Sequence, residues 1–189
     1  MTSLNAPPTH SAQAIADVIT FWSDAGPQRW FAKDPAFDDV FRDRFLALHM
    51  RAAKRELDHW TQSPDGALAL LILLDQFPRN AFRGSAHMYA TDALALMFAK
   101  TALAQGFDKR VDPALRLFLY LPFAHSEQEE DQHLSVRLNA RLGADYSAHA
   151  RGHRSIIQRF GRFPHRNAML GRITTQTEQS FLDAGGFAG

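Results

Sequence analysis

The chain of 189 residues has no cysteine, which excludes a disulfide framework, a thiolate nucleophile and a cysteine-ligated zinc site. Lysine is scarce as well: 4 of the 21 basic residues are lysine and 17 are arginine. An excess of charge is also missing. The 21 basic side chains nearly balance 20 acidic ones, so no global field argues for a nucleic-acid partner. Long apolar runs are absent too. The longest, residues 67–74, falls far short of a membrane span, and residues 1–10 lack the basic-then-apolar pattern of an export signal. A soluble cytoplasmic protein without a membrane partner is expected. No stretch alternates apolar and polar residues over strand length, and no segment is of low complexity.

What is present is helical periodicity punctuated by start and stop signals. Ile15, Val18, Ile19 and Trp22 give a first helix over 11–23 one apolar face, and Gly26-Pro27 stops it. Asp34-Pro35 starts a second helix, striped by Phe37, Phe41, Phe45 and Leu48 and expected to run to about Asp58. Ser63-Pro64 opens a third over 67–77, apolar enough to lie at the centre of the fold. Pro78 is expected to end it, leaving Arg79 and Asn80 on a tight turn.

A helix over 85–105 follows, closed by Gly106. Asp112-Pro113 starts a short one, running to Tyr120 and interrupted by Pro122. Ser126-Glu127-Gln128-Glu129 has the spacing of a capping box for a helix carrying Leu134, Leu138 and Leu142. The next spans 145–160, and Thr175-Gln176-Thr177-Glu178 caps a last one. The fold class is therefore all-α: about eight antiparallel helices in one domain over 11–189, behind a flexible segment over 1–10.

One stretch suits neither a core helix nor a solvated loop. Phe160-Gly161-Arg162-Phe163-Pro164-His165-Arg166-Asn167 mixes cations with aromatics, and Gln76-Phe77-Pro78-Arg79-Asn80-Ala81 partly repeats it with one residue fewer. Residues 141–172 hold seven arginines against one acid, whereas Glu127 to Asp131 holds four acids in five residues. Opposed blocks of this kind can meet in the fold.

These strings carry a family resemblance. Phe21-Trp22, Trp30-Phe31, Leu74 to Asn80 with Arg83-Gly84, Leu121-Pro122, His125-Ser126-Glu127, Gln132, His153, and Phe160 to Asn167 with Leu170-Gly171-Arg172 together resemble a helical family of bacteria and eukaryotes. It is catalogued as domain of unknown function number nine hundred and twenty-four. The resemblance implies a tetratricopeptide-repeat-like fold and no particular activity.

The candidate site collects Arg79, Asn80, His125, Glu127, His153, Arg162, His165, Arg166 and Asn167. Arginine forks suit phosphate or carboxylate, so a polar pocket binding a small anionic molecule or a peptide end is expected, with Arg79, Arg162 and Arg166 as donors. The competing reading of the same arginines is structural: clamps on Asp75, Glu127 and helix-end carbonyls. His125 and Glu127 are candidate catalytic residues of a hydrolase-type enzyme. Ser126 between them is better explained as a cap than as a nucleophile. A third reading is an interaction scaffold. His149 and His153, four apart, with His125 and Glu127 or Asp131 would be the only metal set, but no metal signature is present, so neither metal nor cofactor is expected. Phe160 and Phe163 among arginines would suit a single nucleic-acid strand, yet they fall at core-like positions. A homo-oligomer is compatible with the sequence.

Overall fold

The computed structural model describes residues 9–187 and shows, among them, helices and no strands. The flexible segment expected over 1–10 lies almost wholly outside the described residues. Ten α-helical segments occur: α1 (Thr9–Ala25), α2 (Pro27–Trp30), α3 (Pro35–Ala53), α4 (Pro64–Leu71), α5 (Phe77–Ala81), α6 (Asp92–Ala104), α7 (Leu117–His125), α8 (Glu129–Asn139), α9 (Ala144–Phe160) and α10 (Gln176–Asp183). No described helix is long and apolar enough to cross a membrane.

Three of the local start signals act as expected, whereas Asp112-Pro113 lies ahead of α7, which begins only at Leu117. Asp34 accepts hydrogen bonds from the backbone N–H groups of Ala36 and Phe37, and Ser63 accepts from that of Gly66. Thr175 and Glu178 close a complete capping box. Each satisfies donors that the first turn of a helix leaves orphaned. The apolar run is central, too: Ala67 to Leu74 are all fully buried, with α1, α6 and α7 packed on α4. Helices α6, α7, α8 and α9 then pack each on the next, an order compatible with a tetratricopeptide-like array. A small second cluster of Ile156, Ile157 and Phe163 joins α9 to α10 through Phe160 and Phe181.

Five further expectations need correction. Helix α3 ends at Ala53 rather than near Asp58, because Arg55 turns into the left-handed region at φ 66. Pro78 does not end the central helix. A π turn over Ile72–Gln76 connects α4 to α5, so that the N–H of Phe77 reaches Ile72 instead of Leu73. The freed Leu73 carbonyl accepts from Nδ1 of His49 at 2.9 Å, and the Leu74 carbonyl, which Pro78 cannot serve, accepts from the Thr91 hydroxyl at 2.5 Å. Two side chains thus replace the two bonds the backbone gives up. Likewise Pro122 lies inside α7, whose other residues are almost all buried; packing outweighs the local helix penalty.

The helix expected over 85–105 is broken as well. A 3₁₀ turn over Ala86–Tyr89 precedes α6, and the break brings Tyr89 and Asp92 to one corner. Finally, the Ser126 capping box does not form. The Ser126 hydroxyl donates to Asp131 at 2.8 Å, Gln128 occupies the cap position, and Glu127 turns away.

Candidate functional site

The end of the buried central rod is where the site begins. The π turn rotates Asp75 inward, where it is 1% exposed. Its Oδ1 accepts from Nδ1 of His125, the last residue of α7, at 2.7 Å, and its Oδ2 accepts from Gln76 at 2.6 Å. One turn later, Arg79 donates from Nη1 to the Asp75 carbonyl at 2.7 Å. It also grips Asp92 with both arms, at 2.9 and 3.0 Å. This is the forked geometry that only arginine provides.

The second corner arrives at the same carboxylate. Phe163 leads into a 3₁₀ turn over Pro164–Arg166, and Arg166 donates from Nη1 to Oδ2 of Asp92 at 3.3 Å. Its guanidinium carbon lies 4.7 Å from the Tyr89 ring centre and 4.6 Å from that of Phe163. A cation between two aromatic faces is well held without hydrogen bonds. Nε of Arg166 is buried and has no partner among the described residues.

Glu127 fastens the corner in place. Its Oε1 accepts from the Phe163 backbone N–H at 2.9 Å and from Nη1 of Arg172 at 2.8 Å. His165 and His153 both pack against the Phe163 ring, at 5.6 and 5.5 Å between ring centres. The Nδ1 atoms of both are buried without partners among the described residues, as is Oδ1 of Asn167.

The structure therefore brings together Arg79, His125, Glu127, His153, His165, Arg166 and, through its turn, Asn167. Two expected members are used otherwise. Asn80 donates to the Gln76 carbonyl and accepts from Arg83, a closed structural arrangement. Arg162 forks onto Glu178 at 2.6 and 2.8 Å and reaches the Ile173 carbonyl, fastening the chain ahead of α10. The acid beside His125 is Asp75, not the expected Glu127. Sequence reasoning misses Asp92 and Tyr89 because both fall in the interior of one expected helix. The signal available is Thr91-Asp92, a hydroxyl and an acid of the kind that opens a helix.

Charge at the site is balanced. Asp75, Asp92 and Glu127 face Arg79, Arg166 and Arg172. Burial would raise the Asp75 carboxyl, but Arg79 and His125 beside it outweigh this and hold it at about 2. Burial, then Arg79, pushes His125 down against the pull of Asp75, to which its Nδ1 donates. Burial and the neighbouring cations take His153 down to about 3 and His165 to about 4. The Tyr89 hydroxyl is raised by its burial. The expected hollow between the corners is filled: Asp92 occupies the place between the two guanidinium groups. A surface groove of ≈ 550 Å³ runs beside His153 along α9. Among the described residues no three His, Asp or Glu side chains converge as a metal site.

The chain matches the model of a family described as bacterial protein of unknown function (DUF924) over residues 18–186. A solved structure of a protein of unknown function from Agrobacterium tumefaciens is 52% identical, with a TM-score of 0.90, over 93% of this chain and 99% of that one. No curated protein matches the chain. With nearly its whole length covered by that family, the chain belongs to the DUF924 proteins of unknown function.

Proposed function

We propose that the cluster of His125, Arg166 and His165 beside Arg79 and Asp92 binds a small anionic group, on a metabolite or at the end of a peptide. Arg166 carries the reading. It is 6% exposed, spends a single 3.3 Å contact on Asp92, and keeps a buried Nε with no partner among the described residues. A buried donor left over in this way costs stability, and an anion seated there would satisfy it. Arg79 contributes as a fixed support, and Arg162 is left out because Glu178 holds its fork.

The balanced charge adds a condition. An incoming anion would be uncompensated unless an imidazole took up a proton, so binding should tighten as pH falls below about 6 towards the depressed range of His165. Calorimetric titration with sulfate tests this. Binding that strengthens on acidification, is lost in Arg166→Ala and survives in Arg162→Ala supports the reading. No binding by a protein shown to be folded by circular dichroism, or equal loss in the two variants, refutes it.

One observation favours a second reading, hydrolase-type catalysis. The 2.7 Å bond from His125 to Asp75 orients the imidazole so that Nε2 keeps its lone pair, as a general base requires. Turnover on a phosphatase and esterase panel, abolished by His125→Ala, would support it; an inactive wild-type protein across the panel would not.

A further inference from the structure

The site is bordered by a side chain that neither reading uses. After α10 the chain reverses over its own helix end: Gly185 sits at φ +79, and a Cβ on Gly186 would stand 2.5 Å from the Phe181 carbonyl oxygen. Both positions therefore require glycine. The reversal delivers Phe187, whose ring lies edge-on to His153 at 4.7 Å and to His165 at 5.1 Å between ring centres.

Phe187 remains 41% exposed, so it is held from one side only. It stands at the groove of ≈ 550 Å³ along α9, which Gly152, His153, Ile156 and Phe181 also line. Phe163 touches both imidazoles and the Arg166 guanidinium. The Phe187 ring is thus linked to the Arg166 guanidinium in two steps, through the imidazoles and then through Phe163.

We infer that the Phe187 ring stands where an aryl group of the ligand goes, so that the ligand is an aromatic acid that displaces the segment following α10. This rests on the anion reading above. A neutral imidazole is itself a flat aromatic partner, and two of them at a groove end, with Phe181 and Ile156 beside them, favour a planar ring over an aliphatic chain. The acid group of such a ligand would then reach towards Arg166. Displacing Phe187 costs no hydrogen bond made by its side chain, and the turn at Gly185 and Gly186 is the joint on which the segment moves.

The test compares phenyl phosphate with inorganic phosphate by calorimetry on the full chain, as wild type, Phe187→Ala and Gly186→Ala. Removing the ring should raise phenyl phosphate affinity about tenfold, the worth of a strong aromatic contact, and inorganic phosphate affinity less than about twofold. Gly186→Ala keeps the ring but denies it the turn, and should shift phenyl phosphate in the same direction. An equal gain for both phosphates in Phe187→Ala, or wild-type behaviour of Gly186→Ala, overturns the inference. If phosphate binds through Arg166 with no preference for the aryl form, this inference falls and the anion reading stands. If neither phosphate binds any of the proteins, both fall.

Discussion

The two Phe-Pro corners start from nearly the same residues and end in different states. The first, Phe77-Pro78-Arg79-Asn80, is helical and saturated: Arg79 fills both arms on Asp92 and adds the Asp75 carbonyl, and Asn80 uses both its donor and its acceptor. The second, Phe163-Pro164-His165-Arg166-Asn167, is a 3₁₀ turn with polar capacity to spare: Nε of Arg166, Nδ1 of His165 and Oδ1 of Asn167 are buried without partners among the described residues. The extra histidine of the second copy lengthens the corner by one residue. Its arginine reaches Asp92 from the far side with one bond and leans on Tyr89 and Phe163 instead. Similar side chains thus serve as joinery in one place and as a candidate site in the other, because saturation depends on what the backbone puts within reach.

Removing the carboxylate that both corners share should have the largest effect. Asp92→Ala leaves two buried guanidinium groups without their carboxylate, and urea denaturation should show a loss of about 3–5 kcal/mol. A loss below about 1 kcal/mol, typical of an exposed pair, would mean that the corners do not depend on one another.

The two arginines should respond unequally when removed one at a time. Arg79→Ala should cost about 3 kcal/mol, since a forked and largely buried pair is broken, and Arg166→Ala about 1–2 kcal/mol, mainly its aromatic sandwich and one long bond. Sulfate binding should show the opposite order of sensitivity per unit of stability lost. Arg166→Ala costing more stability than Arg79→Ala would reverse the roles of the two corners.

A smaller effect follows from the imidazoles. His153 and His165 are pushed down by burial to about 3 and about 4, and His49 is lowered by burial as well. In the unfolded chain each takes up a proton near its ordinary value of 6.5. Between there and the folded values the unfolded state binds more protons, so stability is full above about pH 6.5 and is lost as pH falls, by at most about 1.4 kcal/mol per pH unit for each imidazole. Asp75 works at the other end: held at about 2, its contribution is present above its ordinary 3.8 and is lost only as pH drops through that range. Denaturation midpoints from pH 7 to pH 5 should decline, with a shallower decline in His153→Gln. A flat profile would show that the second corner does not keep its histidines neutral.

Legibility in the sequence follows the range of the interactions. Asp34-Pro35, Ser63-Pro64 and the Thr175/Glu178 box are readable because each cap closes hydrogen bonds to N–H groups within three residues. The box expected at Ser126 has the same spacing and does not form, since the Ser126 hydroxyl goes to Asp131 instead. The candidate site is legible as a set of unusual residues and as a repeated motif, but not as a set of partnerships. Asp92 is hidden inside an apparently continuous helix that tertiary packing breaks after Tyr89.

Local patterning along the chain is enough to show that it is helical, where several of its helices begin, and which run lies at the centre. Periodicity, caps and apolar length act between neighbours and need no third dimension. It takes three-dimensional packing to carry Pro78 and Pro122 within helices, to give His125 Asp75 as its acid, and to bring Arg79 and Arg166 together on Asp92. Those outcomes turn on which distant donor or acceptor is on hand to replace a missing backbone bond or neutralise a buried charge. That is a property of the packed chain, not of any one segment.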